Sequence, residues 1–290
     1  KSLADHHAKV KFFQNPQNVG LVQNWKNSIE KSTGTWIKFL FQDDLMHSTT
    51  ISTMMKHGLA NGVETVLCDR AYFYEADFDP DRKKFYDKKL IKTQDLFPEL
   101  RSYAPIESAQ RIATFYFKNC LGEPPCYLFK KSSFTVEDMP GEFKQLIDYV
   151  FILRRLLKAD FVFIPEKLVQ FRVHNTSESM RNNKLDVQDS KVFNNFIYVQ
   201  YYERLMLAHN LEHNTLFQPL KQQIPARHIE IMKNFFMLAS YKKYGFDQVF
   251  QFYKNSGLSS YLINQTTSSY SYLRYKMYKL KHAKVINIYK

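Results

Sequence analysis

The chain has 290 residues, 44% of them hydrophobic and 16% aromatic, which is enough apolar side chain for a sizeable core and excludes a disordered polymer. Lys and Arg outnumber Asp and Glu by 41 to 28, a formal net charge of +13, and no run reaches the roughly 18 apolar residues that span a bilayer as a helix. The three cysteines, Cys68, Cys120 and Cys126, are odd in number and lack metal-site spacing, so they fit a reducing compartment better than a disulfide framework.

In chain order, Val10–Phe13 reads as a strand and Asn18-Val19-Gly20 as a turn. Leu21–Ser32 has helical spacing through Leu21, Trp25, Ser28 and Ile29, and Gly34 stands where a C-terminal cap belongs. Trp36–Phe41 is a β-rich run that ends at Gln42-Asp43-Asp44. Ser48 can cap a helix through Met55, and Glu64–Tyr74 returns to strand character. Asp77–Lys92 reads as a charged loop, Ser108–Lys118 as a helix and Cys126–Lys130 as extended. Phe143–Lys158 predicts an amphipathic helix, followed by two short strands, Phe161–Ile164 and Leu168–Val173. Helices are expected over Asp189–Leu207, Pro225–Tyr241 and Phe246–Tyr253. Strands alternating with helices argue for an α/β sheet with some parallel strands, and the polar stretch Asn182–Asp189 marks a boundary between residues 1–182 and a helical region, 183–290.

The charge is uneven. Residues 187–290 hold 14 Lys/Arg against 5 Asp/Glu, which suggests a basic region facing an anionic surface or polyanion. It is densest over Ser271–Lys290, where Arg274, Lys276, Lys279, Lys281, Lys284 and Lys290 interleave with Tyr272, Tyr275 and Tyr278 without an acid. That pattern suits the headgroup layer of an anionic membrane, stacking on nucleic acid, or a solvated helix whose tyrosines pack on the rest of the protein.

The sharpest chemical feature is Asp43-Asp44 at the end of an apolar strand. Such an edge faces the crevice where α/β proteins bind ligands, and paired carboxylates suit Mg²⁺ or Mn²⁺ bridging to phosphate oxygens. Two aspartates can equally begin a polar loop.

The surrounding string resembles the family 2 glycosyltransferases of the GT-A fold. The likeness runs through residues 15–25, Asn-Pro-Gln-Asn-Val-Gly-Leu-Val-Gln-Asn-Trp, and through Gly34–Asp44. It continues in Gly122-Glu123-Pro124-Pro125, in Ile147-Asp148-Tyr149 through Arg154, and in Pro165–His174 with Ser177 and Ser179. The resemblance implies a truncated GT-A domain, a mixed sheet flanked by helices, over residues 1–182, followed by the helical basic region. The family begins with a strand, a nucleotide-contacting loop and a further βα unit, so the chain, which opens at Lys1 with no visible secretory signal, is expected to lack that part of the base-binding surface. A second departure is Phe41, which stands where the family's Asp-x-Asp motif has its first aspartate.

The resemblance also implies the roles. Asp43 and His174 would hold the divalent cation, Mg²⁺ or Mn²⁺. Asn18, Gly20, Asn24, Asp44 and Arg172 would face the nucleotide-sugar donor, although turn and helix-cap chemistry explains Asn18, Gly20 and Asn24 nearly as well. Gly122, Glu123 and Pro124 would form an acceptor-side loop. Asp148 would be the general base of an inverting transfer to a glycan or lipid-linked acceptor, as in surface polysaccharide assembly; a carboxylate favoured by the helix dipole is the plainer reading of that position. His174 can equally be a strand-end histidine bonded to backbone. A cytoplasmic enzyme peripheral on the inner face of the membrane is expected. A degenerate sugar-binding fragment is the runner-up, and a nucleic-acid-binding protein would explain the charge but not the ordered motifs.

Overall fold

The computed structural model describes residues 6–88, 90–143, 145–175, 196–244 and 277–289. In chain order these residues form α1 (Leu21–Lys31), β1 (Trp36–Lys38), β2 (Leu45–Met46), α2 (Thr50–Ala60), β3 (Thr65–Tyr74), α3 (Pro80–Lys88), α4 (Thr93–Leu96), β4 (Arg101–Tyr103), α5 (Pro105–Ala113), β5 (Tyr127–Lys130), α6 (Ile147–Leu156) and β6 (Phe161–Val173). The helices α7 (Phe196–His213), α8 (Gln218–Lys221), α9 (Ala226–Tyr244) and α10 (Ala283–Tyr289) follow.

The long strands β3 and β6 run parallel at the centre of a six-stranded sheet, ordered β1-β5-β3-β6-β2, with β4 also on β6. Every other pairing is antiparallel. The sheet is therefore mixed and flanked by helices, with further helices after it, as a GT-A-like fold requires. Cys68 faces Ile164, Asp69 faces Lys167 and Arg70 faces Val169, so β6 spends extra residues around Pro165, a residue with no N–H to give the ladder. This bulge joins the two strands expected at Phe161–Ile164 and Leu168–Val173 into one.

Other departures have local causes. β1 stops at Lys38, opposite Leu128, because its partner β5 is preceded by a 3₁₀ turn over Pro124–Cys126. Beyond it Phe39 and Phe41 turn onto Trp25, with ring centroids 5.2 and 5.6 Å away. Phe41 thus supplies an aromatic contact at a position where the resemblance has a carboxylate. Residues 10–13 form no strand; Val10, Phe12 and Phe13 are exposed, with no ladder beside them among the described residues. The charged stretch after Asp77 holds a helix, α3, with Pro80 as its first residue. In α6, Ile147 and every residue from Tyr149 to Leu156 are buried, so that helix is wrapped by protein rather than amphipathic.

The core runs from Trp25 and Ile29 of α1 through the sheet and α6 to Leu207, Leu211, Phe236 and Ile286 of the last helices. The late helices share that core. Tyr116 Oη donates to Leu207 O at 2.9 Å, and Arg204 Nε donates to Phe117 O at 2.8 Å. Tyr278 and Val285 pack on the same cluster, while Lys281 and Lys284 stay exposed. The expected boundary at 182–189, the helix at 246–253, Ser177, Ser179, Arg274, Lys276, Lys290, Tyr272 and Tyr275 all lie outside the described residues. No described helix is long and apolar enough to cross a membrane, and all three cysteines are buried free thiols.

Candidate active site

The turn after β1 and the end of β6 meet at one corner of the sheet. Arg172 N–H donates to Asp44 Oδ1 at 3.1 Å, and His174 Nε2 lies 3.1 Å from Asp43 Oδ2. Two adjacent acids are thereby fastened to Arg172 near the end of β6 and to His174 just beyond it, 128 and 131 positions away. Asp44 is 5% exposed, and its Oδ2 has no hydrogen-bond partner among the described residues. Burial pushes its carboxyl up to about 6, with the Arg172 amide opposing and Asp43 and Glu123 adding to the rise. An unsatisfied buried carboxylate oxygen beside an Asp–His pair is a configuration that costs stability unless something else binds there. The Arg172 guanidinium points elsewhere, to Glu75 Oε1 at 2.5 Å.

No group of three or more His, Cys, Asp or Glu side chains forms a metal cage among the described residues. The donor set nonetheless fits a hard divalent ion: a carboxylate and an imidazole in contact, with the Asp43 side chain partly open to solvent, and an orphaned carboxylate oxygen on Asp44. Mg²⁺ in particular is commonly held by one or two carboxylates plus substrate phosphates.

A second group of acids centres on the start of α6. Asp148 Oδ1 accepts its neighbour's amide, Tyr149 N–H, at 2.7 Å, and Oδ2 accepts Asn119 Nδ2 at 3.2 Å. Protein surrounds it, yet part of the side chain reaches solvent. Burial raises its carboxyl to about 7, with the Glu123 charge adding to the rise and the two hydrogen bonds opposing. Glu123 lies on the turn before β5 and pairs with the buried Arg70 guanidinium. Gly122 adopts φ +84°, a left-handed conformation suited to glycine, and its carbonyl accepts Tyr127 Oη. Pro124 is buried at the start of the 3₁₀ turn. The Asp148 group and the Asp43–Asp44 group are linked through Glu123, whose charge acts on both Asp44 and Asp148.

The remaining donor candidates lie on the entry to α1. Asn18 Oδ1 accepts Gly20 N–H at 2.9 Å, and Gly20, with φ +77°, precedes the helix. Asn24 Oδ1 accepts Asn15 Nδ2 at 2.8 Å. These are turn and helix-start contacts, and none reaches Asp43 or Asp44. A cavity of about 680 Å³ opens beside them, lined among others by Lys9, Lys11, Asn24, Asn27, Lys31 and Lys38, and no carboxylate lines it. The Lys38 ammonium turns out of that space to donate to Pro125 O, and burial lowers its pKa.

Sequence reasoning missed Asn119, Arg70 and Asp69. Asp69 and Arg70 did carry a signal, since they follow directly on the buried apolar run Val66–Cys68 and are themselves buried, and a charge pair inside a core strand breaks the local pattern. Asn119 carried none.

Residues 1–134 match the model of the family described as Glycosyl transferase family 2. No curated protein matches the chain. The matched part includes the Asp43–Asp44 turn and the turn bearing Glu123, and the structure closes it against Asp148, Arg172 and His174 beyond it. Over residues 1–134, slightly under half of its length, the chain is similar to the family 2 glycosyltransferases.

Proposed function

We propose that the protein transfers a sugar from a nucleotide-sugar donor to a glycan or lipid-linked acceptor with inversion at the anomeric carbon, as in surface polysaccharide assembly. The observation that carries this reading is the meeting of Asp43 with His174 and of Asp44 with Arg172, with the Glu123 charge acting on the carboxyls of both Asp44 and Asp148. Asp43 and His174 would hold Mg²⁺ or Mn²⁺, which supplies charge neutralisation for the leaving diphosphate. Asp44, held by the Arg172 amide, orients the donor. Asp148 accepts the proton of the acceptor hydroxyl as the oxygen attacks the anomeric carbon. The bond to the diphosphate breaks on the opposite face. A base that titrates near 7 is suited to this step at neutral pH. In this reading residues 1–182 carry the transfer chemistry and residues 183–290 brace it. The exposed lysines of the C-terminal helix favour an anionic membrane surface, close to a lipid-linked acceptor, on the cytoplasmic side.

The test uses the full chain with Mn²⁺ and UDP. Electron paramagnetic resonance should report bound Mn²⁺ in the wild type and in Asp148→Asn, and a clear loss in Asp43→Asn and His174→Ala. Turnover should fall at least a hundredfold in Asp148→Asn with donor binding kept. Unchanged Mn²⁺ binding in both corner variants would refute the metal assignment, and normal turnover of Asp148→Asn would refute the base.

A further inference from the structure

Arg70 is a cation in the middle of a core strand, 6% exposed, and the transfer chemistry above leaves it without a task. Each of its three guanidinium nitrogens has a neighbour. It pairs through Nε with Glu123, Nη2 donates to Tyr72 Oη at 2.9 Å, and Nη1 reaches Thr93 Oγ1 at 3.5 Å. Thr93 Oγ1 passes the contact on, donating to Cys120 O at 3.2 Å. A Cβ on Gly122 would come within 3.1 Å of Arg70 Nη1, so the turn lies directly on the guanidinium. The segment from Asn119 to Glu123 is therefore held at several points: by Arg70 at Glu123, by Tyr127 at Gly122, by Thr93 at Cys120, and by Asp148 at Asn119. A buried ion pair of this kind is weak as a source of stability, because desolvation offsets the attraction. Its fixed fork geometry does define where the partner carboxylate sits.

We infer that Arg70 is a positioning residue for Asp148: by gripping Glu123 and the 119–123 turn, it sets the place of a second carboxylate against the candidate base. The charged and titratable groups around the pair are Arg70, Asp69 and Tyr72 on β3, Tyr127 on β5, and Asp44 at the strand corner. Burial raises the Glu123 carboxyl and the Arg70 guanidinium opposes that rise, while the turn that Arg70 grips also carries Asn119, whose Nδ2 donates to Asp148 Oδ2 at 3.2 Å. This inference rests on the reading of Asp148 as the base, and its test does not need turnover.

The experiment is a ¹³C NMR titration of the full chain labelled at aspartate carboxyls, with the Asp148 signal assigned by its loss in D148N. E123Q should lower the Asp148 midpoint by about one pH unit. R70K keeps the charge but not the fork, and should also shift the midpoint. In the E123Q background the same Arg70→Lys change should leave it within about 0.2 units, because coupling through Glu123 vanishes with Glu123. Tyr72→Phe removes one contact to the guanidinium on a half-buried side chain and serves if R70K fails to fold; a smaller shift is expected, again lost with E123Q. A midpoint unmoved by E123Q, or an Arg70 or Tyr72 effect that persists unchanged without Glu123, overturns the inference. Normal turnover in D148N with the NMR coupling intact would remove the base reading alone.

Discussion

The strand-centred part of the molecule, residues 36–173, and the helices after residue 196 share one hydrophobic core but place their buried charges differently. In the first, burial raises the carboxyls of Asp44, Asp69, Glu123 and Asp148, the Glu123 charge adds to the rise at both Asp44 and Asp148, and Asp44 and Asp69 each keep an oxygen without a partner among the described residues. In the second, the buried charges meet complementary groups. Glu203 accepts the amides of Gln145 and Leu146 at 2.8 to 3.0 Å, and Lys233 pairs with Glu212. Like-charge crowding disfavours the folded state and is tolerated where chemistry needs it. Complementary pairing avoids the cost of a lone buried charge. The comparison separates a part built to act from a part built to hold it.

One contact that joins them, besides Tyr116 to Leu207 and Arg204 to Phe117, is Glu203. It is 1% exposed, comes from α7, and satisfies two backbone donors just before α6, the helix that presents Asp148. A carboxylate there also meets the positive end of the helix dipole. Glu203→Ala should therefore be the most damaging change in the second region. With one buried and one half-buried amide unpaired, a loss of about 2–3 kcal/mol is expected, a fall in Tm on the order of 5 °C for a chain of this size. Thermal denaturation followed by circular dichroism reads this directly. A Tm within one degree of the wild type would mean that the late helices do not brace the site.

The opposite sign is expected in the first region. Asp148 titrates near 7 when folded and near 3.9 when unfolded, so between those values the folded state holds a proton that the unfolded state has released. Stability from this group is fully present below about pH 4 and is lost as pH rises through about 7. Asp148→Asn removes that dependence. The variant should match the wild type near pH 4 and exceed it at pH 8 by about 1–3 kcal/mol, the partly open face of the side chain reducing the full effect. Urea unfolding at the two pH values measures the difference. A variant less stable than the wild type at pH 8 would show that Asp148 is a structural helix-start charge.

Much of the first region was readable from sequence because its signals are local. The helix at Leu21–Lys31, the strand at Thr65–Tyr74, the acid pair after an apolar run and an aspartate at a helix start all show in contiguous residues. Pairing Asp43 with His174 needed the order of motifs in the resemblance. What stayed hidden depends on geometry at a distance. The bulge at Pro165, which shifts β6 against Asp69 and Arg70, is set by register between strands. The hold of Glu203 on α6 and of Asn119 on Asp148 comes from chain packing that leaves no spacing to read. The end of β1 at Lys38 follows from where its partner begins.

The smallest effect belongs to the C-terminal helix, where the two regions are predicted to differ in what they meet outside the protein. Its inner residues are already used, since Ile286 is fully buried and Tyr278 and Val285 pack on the core. Among the described residues of this segment, Lys281 and Lys284 are the exposed cations. A cation close to an anionic bilayer contributes about 1 kcal/mol, so Lys281→Gln should weaken binding to vesicles containing phosphatidylserine roughly fivefold without changing Tm. Sedimentation with neutral vesicles should show little binding. The attraction should fade in 1 M salt, where the screening length drops to about 3 Å. A polyanion column would retain the protein on charge alone and does not discriminate, whereas a mobility shift with RNA at physiological salt would point to nucleic acid instead. Equal vesicle binding by the wild type and by a variant with both lysines replaced would leave the late helices a purely internal role, bracing α6 through Glu203 and nothing more.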